Sequence, residues 1–180
     1  MEEVIKLDSI DRYNKLYGLE TLHPLVSVVD LSEATTFPKH AVLNFGVYAL
    51  YLKQVKCGDL RYGKQIYDYQ EGTVTSFAPG QVVEVRMAEG VRPMSHGLVF
   101  HPDLIRGTSL GQEIKQYSFF SYSSNEALHL SEEERTIFRD CLDKIQQELT
   151  HPIDKHSKRL ITRNIELLLD YCMRFYERQF

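Results

Sequence analysis

A chain of 180 residues that is 43% apolar can bury one good core, or one core with an appended helical unit. Its charged fraction of 26% and net charge of −4 give no bulk electrostatic reason for this piece to bind nucleic acid or a membrane surface by itself. The three cysteines, Cys57, Cys141 and Cys172, are odd in number and form no CxxC, which points to a reducing cytoplasmic compartment. Met1-Glu2-Glu3 begins no signal peptide, and no apolar run reaches the length of a membrane span.

Residues 1–24 are weakly periodic; Leu7, Ile10 and Leu16-Tyr17 predict a short helix or an arm, ended by Gly18 or Pro24. Val26, Val28 and Val29 favour a strand. The longest β-like run is Ala41 to Lys53, with Phe45, Val47, Ala49 and Tyr51 on one parity and Gly46, Tyr48, Leu50 and Leu52 on the other. Apolar residues on both faces are expected of a strand inside a sandwich or barrel. Cys57-Gly58-Asp59 reads as a turn and Arg61 to Gln70 as a further strand. Short strands follow at Val74–Phe77, Val82–Met87 and Gly97–Phe100, separated by Gly and Pro turns. His101-Pro102-Asp103 opens an irregular helical insertion, after which Tyr117–Tyr122 and Ala127–Leu130 read as strands. Many short strands with regular turns predict a sandwich or barrel of jelly-roll type.

The last third changes period. Ser131 with Glu134 makes a capping box, and Ile137, Phe138, Cys141, Leu142, Ile145 and Leu149 recur on one helical face. His151-Pro152 breaks that helix and Asp154 is placed to cap a second. The second carries Ile161, Ile165, Leu168, Cys172 and Phe175 in alternating steps of four and three, and no Gly, Asn or Pro follows Phe175 to stop it. That stripe either packs back on the β body with the first helix as partner or, as the favoured reading, forms an antiparallel seam with the same helix of another subunit, giving a homodimer through Ile161, Ile165, Leu168 and Cys172. Nine Lys and Arg against ten Asp and Glu over residues 131–180 exclude the pair as a DNA-reading element. The natural division lies near Leu130: an arm and β body over residues 1–130, and a helical dimerisation unit over 131–180.

Chemistry is hard to place. Seven histidines invite a metal, but no H-x-H stands on a strand: Val42 follows His40 at that spacing, and His96 and His101 are five apart. No HExxH, no G-x-S-x-G elbow and no phosphate loop is present, and Ser118, Ser121, Ser123 and Ser124 read as a hydroxyl-rich strand and turn. No metal, cofactor or catalytic residue is therefore assigned. Eleven tyrosines and nine phenylalanines with no tryptophan are more informative. Tyr48, Tyr51 and Tyr67, with Arg61, fall on neighbouring strands and are the candidates for a pocket that takes a small polar organic ligand. The plainer reading makes the same rings core, with hydroxyls at the rim.

The set of Phe100-His-Pro-Asp-Leu-Ile105, Ile114-Lys-Gln-Tyr-Ser-Phe-Phe120, Asn125-Glu-Ala-Leu-His-Leu-Ser131, Ile165-Glu-Leu-Leu-Leu169 and Arg174-Phe-Tyr-Glu-Arg-Gln-Phe180 resembles the N-terminal regulatory domain of AraC-family transcription regulators, from about Pro38 onward. The resemblance implies a mainly β fold with an α tail: a cupin-like jelly-roll barrel that binds an effector such as a sugar or small organic acid, followed by a two-helix dimerisation unit. It also implies a DNA-binding domain beyond Phe180, so that DNA is met only through that domain, and an N-terminal arm within residues 1–24 that folds over the effector. Against the cupin metal pattern, Val42 stands at the second ligand position and Gln81-Val82-Val83-Glu84 supplies no histidine. Two other readings stay open: a small cupin enzyme, an isomerase or dioxygenase, and a ligand-free dimerisation module.

Overall fold

The computed structural model describes residues 3–54, 59–62, 65–68, 72–120 and 127–180, with 59–62 and 65–68 described in backbone. Among these, the strands pair into two separate five-stranded sheets. The first runs in the order β1 (Glu3–Leu7), β3 (His40–Phe45), β8 (Val82–Arg86), β5 (Asp59–Tyr62), β6 (Gln65–Asp68). The second runs β10 (Leu128–His129), β7 (Thr73–Phe77), β4 (Tyr48–Lys53), β9 (Ser95–Phe100), β2 (Val26–Asp30). Every pairing is antiparallel except β1 with β3. The pairings of the described strands leave two open sheets where a closed barrel was expected.

The physical reason lies in the Ala41–Lys53 run. It is two strands, not one, because Gly46-Val47 carries the chain from β3 in the first sheet to β4 in the second. Gly46 donates its N–H to the Leu7 carbonyl at 2.8 Å, and a Cβ there would lie 2.9 Å from the Asp8 Cα. Only glycine fits so close an approach of two backbones. The crossing explains why both parities are apolar. Leu43 and Phe45 of β3 and Ala49 of β4 meet Phe77 and Val99 in one core between the sheets, with Phe45 stacked on Phe77 at 5.0 Å.

The N-terminal segment is more ordered than its periodicity predicts. β1 adds a parallel edge to β3, and α1 (Ile10–Tyr17) follows, with Ser9 Oγ accepting from the Arg12 N–H at 3.1 Å. Gly18 ends α1 at φ 65, the left-handed cap that glycine adopts without strain. Ile10, Tyr13 and Tyr17 pack into the core between the sheets, so the arm is part of the body.

The insertion after β9 holds α2 (Pro102–Ile105) and α3 (Ser109–Glu113). Ser118–Phe120, expected in a strand, is a 3-10 turn. Phe119 and Phe120 are both buried, and adjacent rings reach one core from a helical turn but point apart from a strand.

The tail is α4 (Glu132–Thr150) and α5 (Ser157–Gln179). The capping box forms as read: Ser131 N–H donates to Glu134 Oε1 at 2.9 Å, and Glu134 N–H to Ser131 Oγ at 3.2 Å. Asp154 stands two residues before the N-cap position, which His156 occupies, and accepts the His156 N–H at 2.8 Å in the turn that leads into α5. Phe138, Leu142 and Ile145 of α4 and Ile165 and Leu168 of α5 share one core with Leu50, Leu98 and Phe100 on the outer face of the second sheet. The molecule is thus three layers, sheet, sheet and helices, and residues 131–180 share their core with the β body.

Arg178, in the last turn of α5, grips Glu134 in the first turn of α4 through Nε at 2.8 Å and Nη2 at 2.8 Å. Burial alone raises the Glu134 carboxyl, but the Ser131 N–H and the Arg178 guanidinium outweigh it and hold the group below the usual carboxylate range. A carboxyl lowered in the folded state stabilises above its unfolded pKa, and that contribution is lost as pH falls through the folded value. Arg178→Gln is therefore expected to lower Tm at about pH 7 and to flatten the loss of Tm on acidification below about pH 4. An unchanged slope in thermal melts would contradict the pairing.

Candidate functional site

β4 is buried on both faces, and its alternation decides what each face can do. Leu50 and Leu52, at 0% exposure, join the core under the helices, while Ala49 and Tyr51 join the core between the sheets. Lys53 shares the parity of Tyr51 and is 6% exposed. Tyr51 pairs in register with Thr75 on one side and Gly97 on the other, and Lys53 pairs with Ser95. Thr75, Ser95 and Lys53 are all buried, so a polar row runs through the interior beside Tyr51. Gly97 makes room for it, since a Cβ there would come within 2.9 Å of the Tyr51 ring.

The arm closes on this row. Tyr13, fully buried on α1, brings its hydroxyl to 2.5 Å from the Tyr51 hydroxyl. Asn14 ties the same helix to the body, its Nδ2 donating to Thr21 Oγ1 at 3.1 Å and Ser27 Oγ at 3.4 Å. Further along, Thr35 N–H donates to the Tyr17 carbonyl at 3.0 Å and Thr36 Oγ1 to the Leu16 carbonyl at 3.0 Å. Phenol and threonine hydroxyls with one ammonium are hydrogen-bond donors and acceptors suited to a hydroxylated or anionic small molecule.

Tyr48 does not belong to this row. It lies on the opposite face of β4, stacked on Phe100 at 4.9 Å and edge-on to Phe120 at 5.2 Å. Burial raises its phenol. There it borders a cleft of about 220 Å³ with Ile114, Lys115 and Tyr117. Tyr48 and Tyr51 are three apart on one strand, an odd step, so the expected single pocket holding both is corrected by the pleat itself. Arg61 pairs in register with Glu84, and Tyr67 with Leu60, but the side chains of Arg61 and Tyr67 lie outside the described residues. Cys57, Ser121, Ser123 and Ser124 lie outside them too.

Among the described residues, no three His, Cys, Asp or Glu side chains gather as a metal site. His23 Nδ1 accepts the Leu25 N–H at 3.0 Å and His101 Nδ1 the Asp103 N–H at 3.0 Å, the latter capping α2. His40 sits 3.7 Å from Glu84 on the first sheet, and burial holds His96 below its usual value. Burial raises the Cys141 and Cys172 thiols, so both are protonated core groups rather than nucleophiles. No described helix is long and apolar enough to cross a membrane.

The expected seam residues are core residues. Ile161, Ile165, Leu168 and Cys172 are at most 1% exposed within the single chain, packed against α4 and the second sheet. They face inward because the helix pair covers the apolar outer face of β4 and β9, and nothing of them remains for a second subunit. A second stripe runs along α5 beside the first: Leu160, Asn164, Leu167 and Tyr171, again stepping by four and three. Leu160 is 45% and Leu167 42% exposed, beside a shallow depression bordered by Asp170, Tyr171 and Arg174. Tyr117 reaches this helix from the Tyr48 cleft, donating its hydroxyl to Asp170 Oδ1 at 2.6 Å. Burial and that bond raise its phenol.

Comparison with protein-family models and with curated proteins returns no match.

Tyr13→Phe removes the hydroxyl contact while keeping the ring. It is expected to cost about 1 kcal/mol and to speed limited proteolysis in the connection after α1. Cleavage at the wild-type rate would remove Tyr13 from the closing of the arm.

Proposed function

We propose that this chain is the effector-sensing and dimerisation domain of a cytoplasmic AraC-type transcription regulator, acting by binding and not by turnover. The facing sheets are then a cupin-like jelly roll without cupin metal chemistry. The polar row of Tyr13, Tyr51, Thr75 and Lys53 contacts the effector, a sugar or small organic acid. The helices pass the response to the attached DNA-binding domain that the resemblance implies. One observation carries the reading: β4 is a shared wall, with the arm-capped polar row on one face and the helical pair on the other. A ligand that binds better to one packing of the arm shifts the helices by no more than its differential affinity for the two packings. In a screen of sugars and small organic acids, a ligand of the folded state raises Tm, and Tyr51→Phe diminishes that rise. A ligand whose rise is untouched by Tyr51→Phe would move the site elsewhere.

The dimer is assigned to the outer stripe of α5. A twofold axis between Asn164 and Leu167 sets Leu160 of one protomer against Tyr171 of the other, and Asn164 against Leu167, so the stripe complements itself in an antiparallel pair. Leu160→Glu with Leu167→Glu, both at exposed positions, is expected to give a monomer by light scattering that still melts cooperatively. Leu168→Asp instead buries an unpaired carboxylate and lowers Tm steeply. An unaltered dimer mass in the Leu160/Leu167 variant would overturn this assignment.

A further inference from the structure

A groove on the opposite flank of α5 plays no part in this reading. It holds about 410 Å³ between Thr108-Ser109 at the start of α3 and the first turns of α5, and is lined by Lys155, Lys158, Arg159, Thr162 and Arg163. Four cations converge there in a chain whose net charge is −4. Among the described residues none of the four is within 4.0 Å of a carboxylate, although Arg12, Lys15, Arg86, Arg106 and Arg178 all are. Of the acids close in sequence, Glu166 accepts from the Ser109 hydroxyl at 3.3 Å, and Asp154 accepts from the His156 N–H at 2.8 Å in the turn before α5.

The cluster is unfavourable for the helix that carries it. Arg159 and Arg163 stand at i and i+4, where like charges repel. Lys158 and Arg159 lie in the first turn of α5, which has no acidic residue and no side-chain cap, whereas α4 opens with Glu132, Glu133 and Glu134 and a capping box. Cations at a helix start oppose the macrodipole. An anion in the groove reverses both terms, since it neutralises the side chains and faces the positive end of the helix.

We propose that this groove binds a small ligand carrying two or more phosphate groups. Its volume lies in the range of about 300–1,000 Å³ usual for small-molecule sites. Two guanidiniums offer the planar fork that matches phosphate oxygens, and the two ammoniums add point charge. Thr162 forms part of the wall, its hydroxyl donating to the Arg159 carbonyl at 3.2 Å. A duplex fits less well: the helical tail as a whole is near neutral, with nine basic and ten acidic residues, and offers no extended basic stripe.

The test is calorimetric titration of the full chain with sodium tripolyphosphate, against sodium chloride at equal ionic strength. Saturable binding near one to one is expected, weakened about tenfold or more by Lys158→Ala with Arg159→Ala and unchanged by Lys144→Ala on α4. No saturable binding, or equal weakening by Lys144→Ala, would overturn the proposal. So would a short DNA duplex that binds more tightly than tripolyphosphate and is lost in the same double variant, which would assign the cations to nucleic acid. The arm and the outer stripe are untouched by these variants, so failure here leaves the sensor reading standing.

Discussion

A strand buried on both faces must satisfy two cores with one short run of side chains, and β4 does so by strict alternation. Leu50 and Leu52 enter the helical core, where each contributes about 1.5–3 kcal/mol through burial. Ala49, Tyr51 and Lys53 enter the inter-sheet layer. Neither core can be rearranged alone, because a shift of β4 by one residue exchanges the two sets. The placement of the arm, the second sheet and the helical pair all follow from that constraint.

The polar row is the place where the interior departs from simple packing. A row of aliphatic side chains would fill the same space without needing hydrogen-bond partners. Tyr51, Thr75, Lys53 and Ser95 are present instead, and Gly97 gives up its side chain to seat the Tyr51 ring. The arm brings the Tyr13 hydroxyl to the Tyr51 hydroxyl of the same row, while Asn14, Thr35 and Thr36 hold its ends to the body. The pairing of β1 with β3 and the buried Ile10, Tyr13 and Tyr17 anchor the arm, and a ligand that meets the polar row beneath it can bias that packing.

Much of this was legible in the residues. The capping box at Ser131 and Glu134, the breaks at Gly18 and His151-Pro152, and the strands at Val26, Val74, Val82 and Gly97 appear where local chemistry puts them. What was not legible depended on partners far away in sequence. The Ala41–Lys53 run reads as one strand because the close approach of Asp8 to Gly46 is invisible locally. The inward stripe of α5 reads by preference as a subunit seam and otherwise as core. Only the apolar outer face of the second sheet decides between them, and it turns attention to Leu160 and Leu167. Tyr48 and Tyr51 do not share a face of β4, for they sit an odd step apart. The alternation that marks a strand was enough to separate them.

The central claim is that β4 couples the arm-capped row to the helical pair. Native-state hydrogen exchange on Tyr13→Phe tests it most directly, since the substitution touches only the inter-sheet side of β4. The account predicts faster exchange in α1 and also in the amides of α4 and α5 that lie over β4 and β9. Faster exchange confined to α1, with the helical pair unchanged, would contradict it.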